Sequence, residues 1–231
     1  MTPPGALDLT VFLSVVAFAA SAVVGVFAYA APVGHRGKAG VTTTLAVVAW
    51  VAVSSVPTAM GWVTAAQPLP LAPLVMVGMF ALVTAVVLSP YGARVAMRTP
   101  LWMLVGVQAF RIPLEWVLHF WSQQGTAPVQ MSWHGQNLDV VAGVVCLICA
   151  PFAARSRWAA VLSQAVGIAL LANVLRIVAR SLPTPMQAYP DPLLLPFHIP
   201  TLWIATVCVG TAMLFHGLTV RRLLATPTHR A

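Results

Sequence analysis

Residues 101–122, "LWMLVGVQAFRIPLEWVLHFWS", decide how the chain is read. The run is long and apolar enough to cross a bilayer, which takes about 20 helical residues. Yet it holds Arg111, Glu115 and His119, each four residues from the next. That spacing drifts little around a helix, so the three side chains share one face. A charge at mid-membrane costs about 2.5–3.5 kcal/mol on insertion scales. The stretch therefore reads as a span whose charged face is turned away from lipid.

The rest of the composition agrees. The chain is 60% hydrophobic and only 7% charged, with a mean hydropathy of +0.90. Soluble domains carry about 25% charged residues, so an integral membrane protein is expected, all-α and polytopic. The net charge of +8 does not point to nucleic acid. The basic residues come in short pairs between apolar runs, not in a patch interleaved with aromatics. The start, "MTPPGALD", has no basic n-region, so the first span is expected to stay as an anchor. Cys146, Cys149 and Cys208 all fall in expected spans, where thiols pack as small apolar groups. A Cu(I) or redox use of Cys146 and Cys149 is the alternative reading.

Outward from residues 101–122, a 20-residue window gives seven spans in a single domain covering residues 1–231. They cover about 7–31, 41–65, 71–89, 101–122, 138–153, 158–182 and 199–220. Basic residues occupy alternate connections. Arg36 and Lys38, Arg94 and Arg98, Arg155 and Arg157, and the tail Arg221, Arg222 and Arg230 lie on one side. The connections at 66–70, 123–137 and 183–198 hold no Lys or Arg. The positive-inside rule then puts the N-terminus outside and the C-terminus in the cytoplasm, in a bacterial-type inner membrane. One missed or extra span would break the alternation. Trp62, Trp121, Trp133 and Trp203 near the outer ends, with Trp102 and Trp158 near the inner, suit an interfacial belt.

This topology places the polar residues by depth. Arg111 lies near mid-membrane, Glu115 above it and His119 close to the outer surface. The sixth span adds Asn173, Arg176 and Arg180 in "NVLRIVAR". The outer connections add His134, Asn137 and Asp139 in "MSWHGQNLD", and His198 in "LPFHIP". The first three spans offer little beyond Asp8. Because lipid does not tolerate such groups singly, they are expected to converge on an outward-facing pocket. The fourth span would form one wall and the sixth the other, with Arg111 and Arg176 meeting in one hollow.

Glu115, His119, His134 and Asp139 are the candidate catalytic groups, able to move protons. Arg111, Asn137, Asn173, Arg176, Arg180 and His198 are the candidate ligand-binding groups. Their positive excess favours an anionic or lipid-like molecule from the outer leaflet. His119, His134, His198 and Glu115 are competent ligands for a divalent metal, although no HExxH or HxxxH spacing is present. Structural readings compete with these. Arg111–Glu115 and Arg176–Asp139 pairs would hold helices together, Asn137 or Asp139 would cap a helix, and His134 beside the turn-forming Gly135 would be a loop residue. The loop 183–200, with six prolines, is either a stiff lid or a spacer.

The expected function is a membrane-embedded enzyme acting on a lipid-like or anionic small molecule. One alternative is a proton-coupled carrier, with Gln108 and Gln164 extending a polar path inward. Carriers built from two matching halves show a repeat, and none is visible here. The other alternative is a structural or sensor subunit, whose first three spans, with Ala19, Ala20, Ser21 and Gly25, would pack against a partner membrane protein. His35, His216 and His229 read as groups of the cytoplasmic surface.

Overall fold

The computed structural model describes residues 2–66 and 71–225, and every regular element among them is helical. The helices are α1 (Ala6–Ala30), α2 (Arg36–Ala59), α3 (Leu71–Leu88), α4 (Pro90–Arg98) and α5 (Leu101–Gly106). After them come α6 (Arg111–Gln123), α7 (Asp139–Ala153), α8 (Arg157–Ser181) and α9 (Gly210–Leu224).

Five helical stretches are long and apolar enough to cross a membrane: Ala6–Ala30, Val33–Ala59, Leu101–Gln123, Arg157–Ser181 and Ile204–Leu224. A sixth appears if Leu74–Leu88 and Pro90–Arg98, bent by 67°, count as one broken span. The apolar α7 has only 15 residues.

The expected edges shift for local reasons. The second stretch runs from residue 33 to 59 instead of 41 to 65, because the chain turns at Gly61, whose φ of +70° suits glycine. The third ends at Leu88, next to the expected 89, but the connection after it is helical. Ser89 accepts a hydrogen bond from the Gly92 N–H at 2.9 Å, and Pro90 follows it at the first helical position, so a new helix starts there. Gly92 passes so close to the Val86 carbonyl that no Cβ would fit. The last stretch begins at Ile204, with a π turn over Ile204–Val209, not at residue 199. Residues 67–70, Arg230 and His229 lie outside the described residues.

In the core, α1 packs on α6: Phe12, Val15, Val16 and Ala19 meet Leu114, Val117, Leu118 and Trp121. The Phe12 and Trp121 rings lie 5.2 Å apart. Trp121 is fully buried, so it is a core residue and not part of an interfacial belt. Ala19 is likewise used inside the bundle. By contrast α2 rests mainly on α1, Ser54 is its one fully buried residue, and Val41, Leu45, Val48, Val53 and Val56 are exposed. Such a face suits lipid, not water.

The bundle has two chemically distinct ends. At one, arginines satisfy the carbonyls that helices leave free at their C-termini. Arg98 donates to Ala30 O (3.2 Å) and Arg221 to Ser89 O (2.8 Å) and Val87 O. Arg222 reaches Met97 O, and Arg157 reaches Leu223 O. We call this the basic end. At the opposite end, Gln124 donates to Asp8 (2.7 Å) and Gln130 to Asp191 O (2.7 Å). Here the proline-rich loop folds inward. Leu193, Leu195 and Phe197 are buried, and Leu193 N–H donates to Ser181 O at 2.7 Å. The loop roofs the bundle and is more than a spacer.

Candidate functional site

Between α5 and α6 the backbone tightens into a 3₁₀ turn at Val107–Phe110. Pro113 explains it: the ring has no N–H for the Ala109 carbonyl and crowds it. Downstream, α6 presents Arg111, Glu115 and His119 on a buried stripe. Gly143 on α7 lets the two helices approach closely, since a Cβ there would lie 2.8 Å from Ile112 Cγ1 and 3.3 Å from Arg111 Cβ. One turn before Gly143, Asp139 opens α7.

These positions bring Arg111 Nε to 3.2 Å from Asp139 Oδ2, with both residues buried. Arg111 also donates through Nη1 to the Gly167 carbonyl of α8 at 3.3 Å. Glu115, one turn further on α6, has a different partner. Asn137 Nδ2 donates to its two carboxylate oxygens at 2.9 and 2.8 Å, and to Met131 O at 3.1 Å. Asn137 Oδ1 accepts from the Asp139 N–H at 3.1 Å, closing the start of α7. Asn137 thus serves the helix start, leaving the Asp139 carboxylate for Arg111.

The cluster continues toward the basic end. Gln164 Oε1 lies 2.7 Å from His216 Nδ1, and Gln108 Nε2 donates to Ala212 O at 3.0 Å. Gly167 carries His216 on its bare face: a Cβ would sit 2.5 Å from His216 Cε1, and 3.6 Å from Arg111 Nη1. His216 is therefore a buried member of the cluster and not a surface group. Sequence reasoning missed it, although an ionisable residue within an apolar span is itself the signal.

Arg111, Glu115, Asn137 and Asp139 line a hollow of about 20 Å³, with Leu118 and Cys208 among its apolar walls. That is room for about one water molecule. Among the described residues, Arg111 Nη2, Asp139 Oδ1, Gln108 Oε1 and His216 Nε2 are buried without a hydrogen-bond partner. Such groups are expensive in a low-dielectric interior. An apolar crevice of about 30 Å³ adjoins the hollow, sharing Met131, Val174, Ile204 and Val209 with it.

The remaining candidates form a separate rim. Arg176 donates to Gln136 Oε1 (2.9 Å) and Asn173 Oδ1 (2.9 Å), while Asn173 donates to Gln136 O (2.8 Å) and Tyr189 to Gln136 Oε1 (2.6 Å). His119 stacks on Trp133 (4.1 Å between ring centres) and on His134 (4.7 Å), and its Nε2 is 3.0 Å from Gln123 Nε2. Arg180 and His198 are exposed, with no side-chain hydrogen bond among the described residues.

Three expectations change accordingly. Arg111 pairs with Asp139, not Glu115. Arg176 pairs with amides, not Asp139. Arg111 and Arg176 share no hollow, because α8 gives the hollow Leu171 and Val174 and turns Arg176 to the rim. The metal reading lacks a cage: among the described residues no three of His, Cys, Asp and Glu come together to hold an ion. His119 and His134 lie ring on ring, Glu115 is held by Asn137, and His198 stands apart, so no metal step is derived.

No protein-family model matches the chain, and neither the curated proteins nor the solved structures include a match.

Proposed function

We propose that the chain is a seven-span protein of a bacterial inner membrane, N-terminus outside and basic end in the cytoplasm. We further propose that Arg111, Glu115, Asn137 and Asp139 form the site of a membrane-embedded enzyme. It performs acid–base chemistry on an anionic, lipid-like molecule. In this reading α3 is one span, and α4 lies across the basic end after it. The short α7 is another, about 22 Å at 1.5 Å per residue, with residues 129–138 completing the crossing.

The observation that carries the proposal is the shared hollow, faced by two carboxylates and a guanidinium, in which Arg111 Nη2 and Asp139 Oδ1 keep no hydrogen-bond partner. A purely structural ion pair gains most when every lone pair and proton is satisfied. A site that must accept a ligand leaves some open. Arg111 Nη2 would receive the anion, Glu115 would give or take the proton, Asn137 would hold the carboxylate, and Asp139 would hold the guanidinium. The adjoining apolar crevice between α8 and residues 195–205, about 30 Å³, would have to widen to admit a hydrocarbon tail arriving sideways from the outer leaflet. The tail would part Val174 and Ile204 to reach the hollow. The rim cluster of Arg176, Asn173, Arg180, His119, His134 and His198 stands above, where it would draw the anionic molecule in before Arg111 receives it.

A second reading, a proton-coupled carrier, is favoured by one specific feature. The Gln164–His216 pair and Gln108 continue the polar groups from Glu115 toward the basic end. One experiment separates the readings. Purified protein is incubated with lipid extract and with liposomes, and both are followed by mass spectrometry. A new product mass, lost in Glu115→Gln and Arg111→Gln, supports the enzyme. Flux of an unchanged molecule driven by a pH gradient supports the carrier. Loss of thermal stability alone, with neither activity in the wild type, overturns both.

A further inference from the structure

A large cavity lies far from the polar cluster, at the basic end. It is a cleft of about 440 Å³ between α4 and the turn joining α1 to α2. Its floor is apolar (Phe27, Ala30 and Val95), and His35, Lys38, Arg94 and Arg98 stand around it. The volume falls within the range of small-molecule sites. The 67° bend after α3 creates the cleft, because it lays α4 across the bundle end and points its two arginines at the α1–α2 turn.

Among the described residues the charges here have no counter-ion within ion-pair distance. The chain has four acidic side chains, Asp8, Glu115, Asp139 and Asp191. Glu115 and Asp139 belong to the buried cluster, while Asp8 and Asp191 lie at the opposite end, where Gln124 donates to the Asp8 carboxylate and Gln130 to the Asp191 backbone carbonyl. Arg98 is anchored by one Nη to Ala30 O and Arg94 by Nε to Pro90 O (3.4 Å), leaving further N–H groups on each guanidinium. Lys38 and His35 make no side-chain hydrogen bond among the described residues. Arg36, lying over the Tyr29 ring at 5.4 Å, adds to the positive field.

A second cavity points to the kind of anion. An apolar groove of about 200 Å³ runs between α1, α2 and α3, lined by Val23, Phe27, Val47, Trp50, Met79 and Val83. Phe27 belongs to both walls, and Thr42 of the cleft is followed directly by Thr43 of the groove. Cationic cleft and apolar groove thus adjoin across Phe27, both lying along the sparsely buried α2.

We infer that this surface binds an anionic phospholipid of the cytoplasmic leaflet. Its phosphate sits among Lys38, Arg94, Arg98 and His35, and one acyl chain lies in the groove beside Phe27. Charge complementarity at membrane-facing basic clefts supplies the affinity, and the groove supplies the preference for a lipid over a free ion. The inference needs the chain to lie in a bilayer with its basic end inward, but it is independent of any chemistry at Glu115.

Native mass spectrometry and thermal unfolding of the full chain in nanodiscs test it. Phosphatidylglycerol should stay bound through delipidation and raise Tm above that in phosphatidylcholine alone. The exposed double substitution Lys38→Gln/Arg94→Gln should weaken retention about tenfold or more. Arg155→Gln, exposed at the same end but outside the cleft, should not. Ala46→Trp, on the exposed groove wall, should weaken long-chain phosphatidylglycerol while leaving the dihexanoyl form unaffected. Equal retention of phosphatidylcholine overturns the proposal, as does an unchanged Lys38→Gln/Arg94→Gln protein. Competition by glycerol phosphate as effective as that by the lipid also overturns it, marking an ion site instead.

Discussion

Asn137 and Glu115 meet through a single side-chain amide, whose Nδ2 lies within 2.9 Å of both carboxylate oxygens. The glutamate is thus held by a neutral donor from a loop, while the nearby guanidinium is held by Asp139. This division of partners sets the first expectation. Asn137→Leu strips a buried carboxylate of its donor and should cost about 1.5–3 kcal/mol, the worth of a hydrogen bond to a charged group. Glu115→Gln keeps an oxygen for Asn137 and should unfold much closer to wild type while losing activity. Thermal unfolding in detergent compares the two, and equal destabilisation would contradict this picture of Glu115.

The ion pair itself is measurable by a double-mutant cycle. Arg111→Leu alone leaves Asp139 buried and unpaired, and Asp139→Leu alone does the same to Arg111. Each should cost about 3–5 kcal/mol. The double variant removes both charges and should cost clearly less than the sum of the two. Additive losses would mean that the 3.2 Å approach carries no coupling.

Gly167 sets helix propensity against packing. Alanine is favoured over glycine in a helix interior by about 1 kcal/mol. At this position the new methyl would lie 2.5 Å from His216 Cε1 and 3.0 Å from its Nε2. Overpacking of a close-packed core costs about 1–3 kcal/mol, so Gly167→Ala should destabilise despite its propensity. In a His216→Ala background the clash disappears, and the same substitution should become neutral or stabilising. The sign change between backgrounds, read as Tm, is the diagnostic result.

These residues also show what could be read in advance. The spacing of Arg111, Glu115 and His119 fixed a shared helical face, because helical periodicity is local. Which carboxylate Arg111 would meet was not local. It depends on Gly143 letting α7 approach and on Asn137 claiming Glu115 first, and neither is visible in the charge pattern. Arg176 illustrates the same limit from the other side. It lies on the expected stripe of α8, but a turn of that helix suffices to give it Gln136 in place of the hollow. The break at Ser89–Pro90 falls at the expected end of the third span, but that Pro90–Arg98 would form a helix of its own, capped by Ser89, was not legible in a short basic connection. His216 was hidden by its position close to a basic helix end, where surface exposure is the usual outcome.

Orientation and span number can be tested together by thiol labelling. Cys146, Cys149 and Cys208 are all buried in helices, so the wild type should stay unlabelled by a membrane-impermeant maleimide, and no background mutations are needed. Single cysteines are then introduced at exposed sites. Met186→Cys and His134→Cys lie at the end carrying Asp8 and Asp191, and Gly37→Cys and Arg155→Cys lie at the basic end. With the basic end inside, the first two should label in intact spheroplasts and the last two only after lysis. The reverse pattern would move the Glu115 end of the cluster to the cytoplasmic half and redirect any substrate to the inner leaflet. Labelling of all four from one side would mean that α6, α7 and α8 do not cross. The burial of Arg111 and Asp139 would then need a soluble or peripheral explanation, which the exposed apolar faces of α2 and α7 make physically costly.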